Sequence, residues 1–414
     1  MAQDTLKVLE INAANQLSTG NIMLGIAETA RREGITVFTA SKYNRQSAEL
    51  EKNRKNPFHF LIGSRWENTL NRYISWYTDY QDVGSWLGTK HLIKRIESLN
   101  PDVIHLHDIV GWYVQLDVLF SFLKAYGKPV LWTMHDCWAY TGRCIYYGMI
   151  GCEQWKVGCK KCPQCSMYPS SKLFDRCEWN YVRKKRLFSD LPRLTIVTPS
   201  CWLAEEVRHS FFKNRPISVI HNGIDLEVFH PRPSKFREYN GLKEKKVILA
   251  AASAWNERKG LRDLYLLAER LPKDFQLVLA GLSKKQMAEL PDSILGVIRT
   301  GNAEQMAEIY SAADVFVNPT KDEVLGMVNL EAQACGIPVV TYRTGGSPEC
   351  VCPDTGVVVE KGDINAMAGA VVRLCRGGHT DFREKCIQYA SAFDKNIKFM
   401  KYVNLYREMA EEIR

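Results

Sequence analysis

The stretch from Ser311 to Glu349, SAADVFVNPTKDEVLGMVNLEAQACGIPVVTYRTGGSPE, constrains this chain more than any other. Val315–Asn318 is short and apolar, as a buried strand should be. Leu325–Cys335 has the spacing and length of a helix, and Gly336 closes it. Ile337–Thr341 then predicts a second buried strand. A strand, a helix and a strand in so few residues make one turn of a parallel α/β unit, because parallel strands need a crossover of this kind. Glu323 precedes the predicted helix and Glu331 lies eight positions on, inside it. At the usual helical rise the two are separated by at most about 12 Å. Two carboxylates so placed can hold opposite ends of one ligand, and the free amides of a helix start suit polar or anionic groups.

The chain has 414 residues, more than one hydrophobic core usually serves, so two domains of about 200 residues each are expected. No N-terminal signal pattern and no apolar run of about 20 residues is present, which points to a cytoplasmic protein. The 13 cysteines then belong in a reducing compartment. Seven of them fall between Cys137 and Cys177, which argues for a local metal clip and against a disulfide framework. A formal net charge of +9 fits nucleotide phosphates or an anionic membrane surface. No nucleic-acid motif accompanies it, so nucleic acid is not among the expected partners. The basic clusters Arg183–Arg186 and Lys243–Lys246 read as solvated faces.

Lys7–Ile11 predicts the first strand. Leu17–Asn21 reads as a polar turn carrying Gly20, ahead of a helix ending at Glu33 and Gly34; here a glycine lets a backbone approach a phosphate or sugar closely. Between Pro57 and Trp86 aromatic side chains alternate with Arg65 and Arg72, a composition suited to a carbohydrate acceptor, to the headgroup layer of a membrane, or to plain core packing. PDVIHLHD brings His105 and His107 onto a strand, and PVLWTMHDCW ends a further strand at His135 and Asp136, at the edge where such folds bind ligands. Cys144-x7-Cys152-x6-Cys159-x2-Cys162-x2-Cys165 follows, in an insertion at about 137–177 that is poor in apolar periodicity. Cys-x2-Cys joined to a second pair can complete a tetrahedral zinc site, with Cys144, Cys152, Cys159 and Cys162 as the first choice and Cys165 as the spare. Leu194–Val197 and Ile217–Ile220 predict the last strands of the first half, and Pro231, Arg232 and Pro233 mark a linker. The second half restarts with KKVILAAASAWNERKG, then Gln276–Gly281 and Val297–Gly301 as strand edges, and helices after Gly356–Val359.

The combination EVLGMVNLE, AQACGIPVV and GGSPE, with HNGID upstream, resembles the donor-site signature of the retaining glycosyltransferases of family four. The resemblance implies a GT-B architecture: two Rossmann-like domains facing across a cleft, with a C-terminal helix crossing back. On that pattern residues 1–232 form the acceptor-side domain, 233–397 the nucleotide-sugar domain and 398–414 the crossover helix. It implies that Glu331 receives the ribose hydroxyls, and that Glu323 with the amides near Gly326 and Met327 holds the donor sugar. Lys259 would meet the pyrophosphate, and Asn222 would turn beside the cleft. Gly20 would lie opposite the donor phosphates, and His135 would approach the sugar from the N-terminal domain. The family's usual arginine, five positions before Lys259, is Ala254 in this chain, and Arg258 is the candidate replacement. TMHDCWAYTG followed by a cysteine cluster resembles a bacterial subgroup that builds exopolysaccharide or capsule. The expected activity is retaining transfer from a UDP- or GDP-sugar to a glycan or lipid-linked glycan at the inner face of the plasma membrane. No cofactor is required for catalysis, and zinc would be structural. A non-catalytic nucleotide-sugar sensor and a sugar-nucleotide epimerase are the competing readings; Ala254 is the best argument for the sensor.

Overall fold

The structure is a computed structural model describing residues 5–44, 47, 56–377 and 379–412. The chain separates into two compact units, Met1–His221 with Lys398–Arg414, and Asn222–Ile397.

The first unit is built on a parallel sheet of β1 (Lys7–Asn12), β2 (Thr36–Lys42), β3 (His59–Ile62), β4 (Val103–Leu106), β5 (Val130–Thr133), β6 (Leu194–Thr198) and β7 (Ile217–Val219), in the order β3-β2-β1-β4-β5-β6-β7. β4 (VIHL) and β5 (VLWT) are buried at every position, as inner strands covered on both faces must be. The helix Lys395–Glu411 lays Phe399, Tyr402, Val403, Tyr406 and Met409 on Val8, Ile26, Val103, Leu131 and Val197 of this unit.

The second unit repeats the architecture with β8 (Lys246–Ala251), β9 (Phe275–Leu282), β10 (Ile294–Ile298), β11 (Val315–Asn318), β12 (Val339–Tyr342) and β13 (Gly356–Val359), in the order β10-β9-β8-β11-β12-β13. Every pairing is parallel, and apolar clusters centred on Leu249, Phe316 and Leu330 and on Ile248, Val317 and Met367 make its core. Both units are therefore doubly wound α/β structures, the fold class expected from the sequence.

Several expectations shift. The division falls at His221/Asn222, ahead of the prolines at 231 and 233, because the residues before those prolines already pack in the second core. Ile224 is buried there, its amide donates to the Phe393 carbonyl at 2.8 Å, and Arg232 is tied to Ser311 and Val228. Leu17–Asn21 is the first part of a helix, Leu17–Arg32, and not a turn. Gly20 is buried within that helix, where a Cβ would lie 2.9 Å from the Asn15 carbonyl carbon. The strand expected at Val297–Gly301 runs earlier, as Ile294–Ile298, paired with β9 with a register slip between Val297 and Ile298. The Arg183–Arg186 cluster is solvated only in part: Lys185 and Arg186 are exposed, but the other two are not. Arg183 is buried on the Asp117 carboxylate and the Gln81 and Asp82 carbonyls, and Lys184 is buried on the Trp138 carbonyl and ring. The insertion has a core of its own, in which Tyr140 and Tyr147 pack on Trp155 at centroid distances of 5.0 and 5.2 Å.

Candidate functional site

Three loops at the carboxyl ends of the adjacent strands β8, β11 and β12 converge in the second unit, the edge at which doubly wound sheets present ligand-binding groups. The first is the turn Glu257–Lys259, capped by the Asn256 side chain on the Lys259 amide and closed by Gly260 at φ +74°. The second, residues 319–326, is stitched to it: the Lys321 amide donates to the Arg258 carbonyl at 2.7 Å, and Lys321 Nζ lies 2.5 Å from Glu257 and 3.0 Å from Asp263. The third carries Gly345 and Gly346. A side chain on Gly345, at φ +53°, would meet the Glu323 carbonyl oxygen at 1.8 Å, while the Gly346 amide donates to that same oxygen at 3.1 Å. Glycine is required at 345 because the backbones touch there.

This stitching brings Lys259 Nζ to 2.5 Å from Glu323 Oε2, with both side chains largely shielded from solvent. Burial alone would raise the Glu323 carboxyl; the Lys259 ammonium, aided by Arg258 and the Val324 amide, reverses this and holds it below the usual range. Glu323 is therefore a carboxylate at neutral pH. Arg258 is not directed to solvent: its guanidinium donates to the Asp322 carbonyl at 2.8 Å, on the same loop as Glu323. Ala254 is exposed and lines a cavity of about 590 Å³ with Ser253, Gly281, Ser283 and Arg299. Arg299 escaped the sequence reading because it stands outside any motif.

The helix predicted over Leu325–Cys335 starts later, at Met327, with Gly326 as its cap at φ +91°. Glu331 points from this helix to Tyr310, whose hydroxyl donates to Oε2 at 3.1 Å. Burial pushes Glu331 up to about 7, and the Tyr310 bond offsets this only in part. Beneath the helix start lies a buried polar network that the sequence did not announce. Asn318 donates to Asn329 at 2.9 Å, Asn329 to Ser347 at 3.0 Å, and Ser347 shares a 2.7 Å bond with Thr341. Fully paired polar groups of this kind fix a loop more sharply than apolar packing does. Asn222 opens the second unit, with its Oδ1 buried and unpaired, and its neighbour Gly223 packs on the backbone of Lys395.

In the first unit, His135 ends a chain of hydrogen bonds. Its Nε2 lies 3.1 Å from His107 Nδ1; His107 Nε2 lies 3.3 Å from Glu10, which accepts from Tyr406 at 3.1 Å. Burial lowers His107 to about 3 and His135 to about 4, so both rings are neutral at pH 7. Burial also holds Glu10 well above the usual carboxylate range. Glu10, His105 and His107 bring ligand atoms within 4.8 Å of one another. His105 is nonetheless bonded to Tyr406 and Thr133, so the trio reads as scaffolding for His135.

Of the proposed metal ligands, Cys144 Sγ and Cys162 Sγ lie 4.0 Å apart, Cys159 stands near Cys162, and Cys177 lies beside both Cys159 and Cys162. Cys152 is half-buried and also lies within reach of the charges on Cys159 and Cys162. Cys165 lies over the Cys162 carbonyl, at 3.5 Å.

The helix Arg65–Thr78 is inverted. It buries Asn68, Asn71 and Ser75 and exposes Trp66, Leu70, Tyr73 and Tyr77, with Trp66 at 87%. Trp66, Leu70, Ile74, Trp86, Leu87 and Leu92 line an apolar groove of about 1100 Å³, so core packing does not account for these rings.

Two parallel doubly wound units, one with an acid–lysine pair at its carboxyl edge, define a GT-B type glycosyltransferase architecture. The comparisons agree. A family model described as Glycosyltransferase Family 4 matches residues 21–228, and one described as Glycosyl transferases group 1 matches residues 245–377. The chain belongs to glycosyltransferase family 4. It is 26% identical over 285 residues to the putative colanic acid biosynthesis glycosyl transferase WcaC of Escherichia coli K12, covering 64% of this chain and 65% of that one. It is 30% identical over 191 residues to a D-inositol 3-phosphate glycosyltransferase of Mycobacterium sp. strain KMS, covering 43% of each. The matched region is thus less than two thirds of either relative. Among solved structures, sucrose-phosphate synthase from Thermosynechococcus elongatus superposes with a TM-score of 0.71 at 18% identity, over 98% of this chain and 99% of that one. Anabaena Alr3699/HepE in complex with UDP and glucose gives 0.67 at 15% identity, over 97% and 100%. At these identities the superpositions speak to the fold alone. No described helix is long and apolar enough to cross a membrane.

Proposed function

We propose that this chain transfers a sugar from a UDP- or GDP-sugar to a glycan or lipid-linked glycan in polysaccharide biosynthesis, with retention at the anomeric carbon. The observation that carries the reading is the shielded Lys259–Glu323 pair, with Arg258 on the same loops. In this structure the two satisfy each other. A bound donor would exchange that contact for two: the diphosphate takes the Lys259 ammonium, and hexose hydroxyls take the Glu323 carboxylate. Lys259 and Arg258 then offset the charge that grows on the departing nucleoside diphosphate, a role that asks for no metal. Gly326 and Met327 supply amides at the helix start, and Glu331 accepts from the ribose. The cavity beside Ala254, at the ends of β8, β9 and β10, has room for the nucleotide base, and Arg299 lines it. In the first unit, His135 is a neutral imidazole able to hydrogen-bond a sugar hydroxyl. The acceptor hydroxyl is the nucleophile in this reading, so no enzymic nucleophile is named.

The inverted helix and its groove favour a lipid-linked acceptor. Trp66, Leu70, Trp86 and Leu87 offer an apolar bed for an acyl or polyprenyl chain, and Lys90 over Trp86 together with Arg95 over Phe60 suits anionic headgroups. In this reading the chain works as a cytoplasmic protein held peripherally at the inner membrane face.

A thermal-shift panel of UDP, GDP and their sugars, followed by transfer assays on lipid-linked acceptors, tests the proposal. One nucleotide diphosphate series is expected to stabilise the chain, and product is expected to retain the donor's anomeric configuration. Donor binding without transfer would favour the sensor that Ala254 suggests, and conversion of the nucleotide sugar without acceptor would favour the epimerase. No response to any nucleotide would remove the donor-site reading altogether.

A further inference from the structure

The cysteines of the insertion do more than fill space. Cys144 Sγ and Cys162 Sγ lie 4.0 Å apart. Cys177 lies beside both Cys159 and Cys162, so the four cysteines form one neighbourhood. A side chain at Gly142 would strike Cys177 Sγ at 2.3 Å and Cys159 Cβ at 2.9 Å, which places these two cysteines around one backbone atom. The four come from separate pieces of chain. Cys144 lies in a loop, Cys159 and Cys162 flank a short Cys-x2-Cys turn, and Cys177 opens the helix Cys177–Phe188.

The surroundings fit a charged cluster better than four neutral thiols. The Gly142 amide donates to Cys159 Sγ at 3.1 Å. The Asp175 carboxylate clamps two of the cysteines by their backbones, accepting from the Cys162 amide at 2.6 Å and the Cys177 amide at 3.1 Å. Two buried cations stand beside the sulfurs: Lys184 near Cys159 and Cys177, and Arg143 near Cys162. Neutral thiols are weak donors and acceptors, and they give little reason to bury a lysine beside them. Four thiolates around a divalent ion carry a net charge of about −2, which Lys184 would offset in part, Arg143 being paired with Asp79 at 2.9 Å. None of the insertion's cysteines forms a disulfide. Between Thr141 and Arg176 regular structure is limited to the turn Gln154–Lys156, and a segment so irregular needs some other fastening.

We propose that Cys144, Cys159, Cys162 and Cys177 bind one zinc ion as a tetrathiolate, with Asp175 as the positioning residue that holds the Cys162 and Cys177 backbones together. Each thiol releases its proton to solvent on binding. The ion ties the insertion to the start of the helix Cys177–Phe188, and the inference stands independently of the transferase reading.

The test is elemental analysis of the full chain purified under reducing conditions without added zinc. About one zinc per chain is expected. Cys162→Ser and Cys177→Ser are expected to lower bound zinc at least about tenfold, while Cys152→Ser and Cys165→Ser keep it. Circular dichroism reports whether the variants fold. Should the first two fail to fold, cobalt exchanged into the unaltered chain decides, because four thiolates give intense sulfur-to-cobalt charge transfer and tetrahedral ligand-field bands. Zinc far below one per chain, iron in its place, retention of zinc by a folded Cys177→Ser variant, or a cobalt spectrum without sulfur ligation would each overturn the assignment.

Discussion

Replacing Glu331 by glutamine separates what this side chain does for binding from what it does to the fold. Burial holds its carboxyl at about 7, against an ordinary 4.5. At about 1.4 kcal/mol per pH unit, ionising it in the folded chain is less favourable than in the unfolded chain by roughly 3 kcal/mol. The sign follows from proton counts. Below pH 4.5 the group is protonated in both states and the penalty vanishes; between 4.5 and 7 only the unfolded chain ionises, so stability falls as pH rises; above 7 the penalty is complete. Glutamine stays neutral and can still accept from Tyr310. Glu331→Gln is therefore expected to be more stable than the parent by up to about 3 kcal/mol at pH 8, and by roughly half that at pH 5.5. In a unit of this size that is a rise of about 6–12 °C in Tm at pH 8, readable by calorimetry. The same variant is expected to bind the nucleotide about tenfold or more weakly, since an amide has one acceptor where a carboxylate has two. A variant no more stable than the parent at pH 8, or a gap that does not widen with pH, would refute the reasoning.

Lys259→Ala and Glu323→Ala are each expected to lower transfer by about 100-fold or more with the circular dichroism spectrum unchanged; unaltered turnover in both would show that the pair does not serve the reaction. Gly345→Ala forces a methyl group against the Glu323 carbonyl at a left-handed φ, and is expected to destabilise the second unit by about 2 kcal/mol and to weaken donor binding, measured by denaturant melts and calorimetric titration. His135, lowered to about 4 by burial, stays neutral from pH 6 to 8. Its NMR titration midpoint is expected below about 5, and the rate profile should show no histidine break; a midpoint near the ordinary 6.5 would contradict the buried hydrogen-bonded ring.

The sequence by itself settled the doubly wound class, because strands such as VFVN and GVVV, and glycines such as Gly34, Gly127 and Gly336 at helix ends, are local signals that tertiary context did not override. It also marked Glu323 and Glu331 by their spacing about a helix start, and Lys259 through the family resemblance alone. Tertiary structure alone decided how these residues meet. The Lys259–Glu323 contact depends on Lys321 stitching two loops and on Gly345 touching a carbonyl, all between residues far apart in the chain. The network of Asn318, Asn329, Ser347 and Thr341, and the line from Tyr406 through Glu10 to His135, were invisible for the same reason: isolated polar residues carry no periodicity. Cysteine spacing found the cluster, but that Cys177 stands beside Cys159 and Cys162 was hidden, since a residue that opens a helix at the end of the insertion adds nothing to a local count. The inversion of the helix Arg65–Thr78 was equally hidden, because a sequence shows which residues share a face but not which face meets the core.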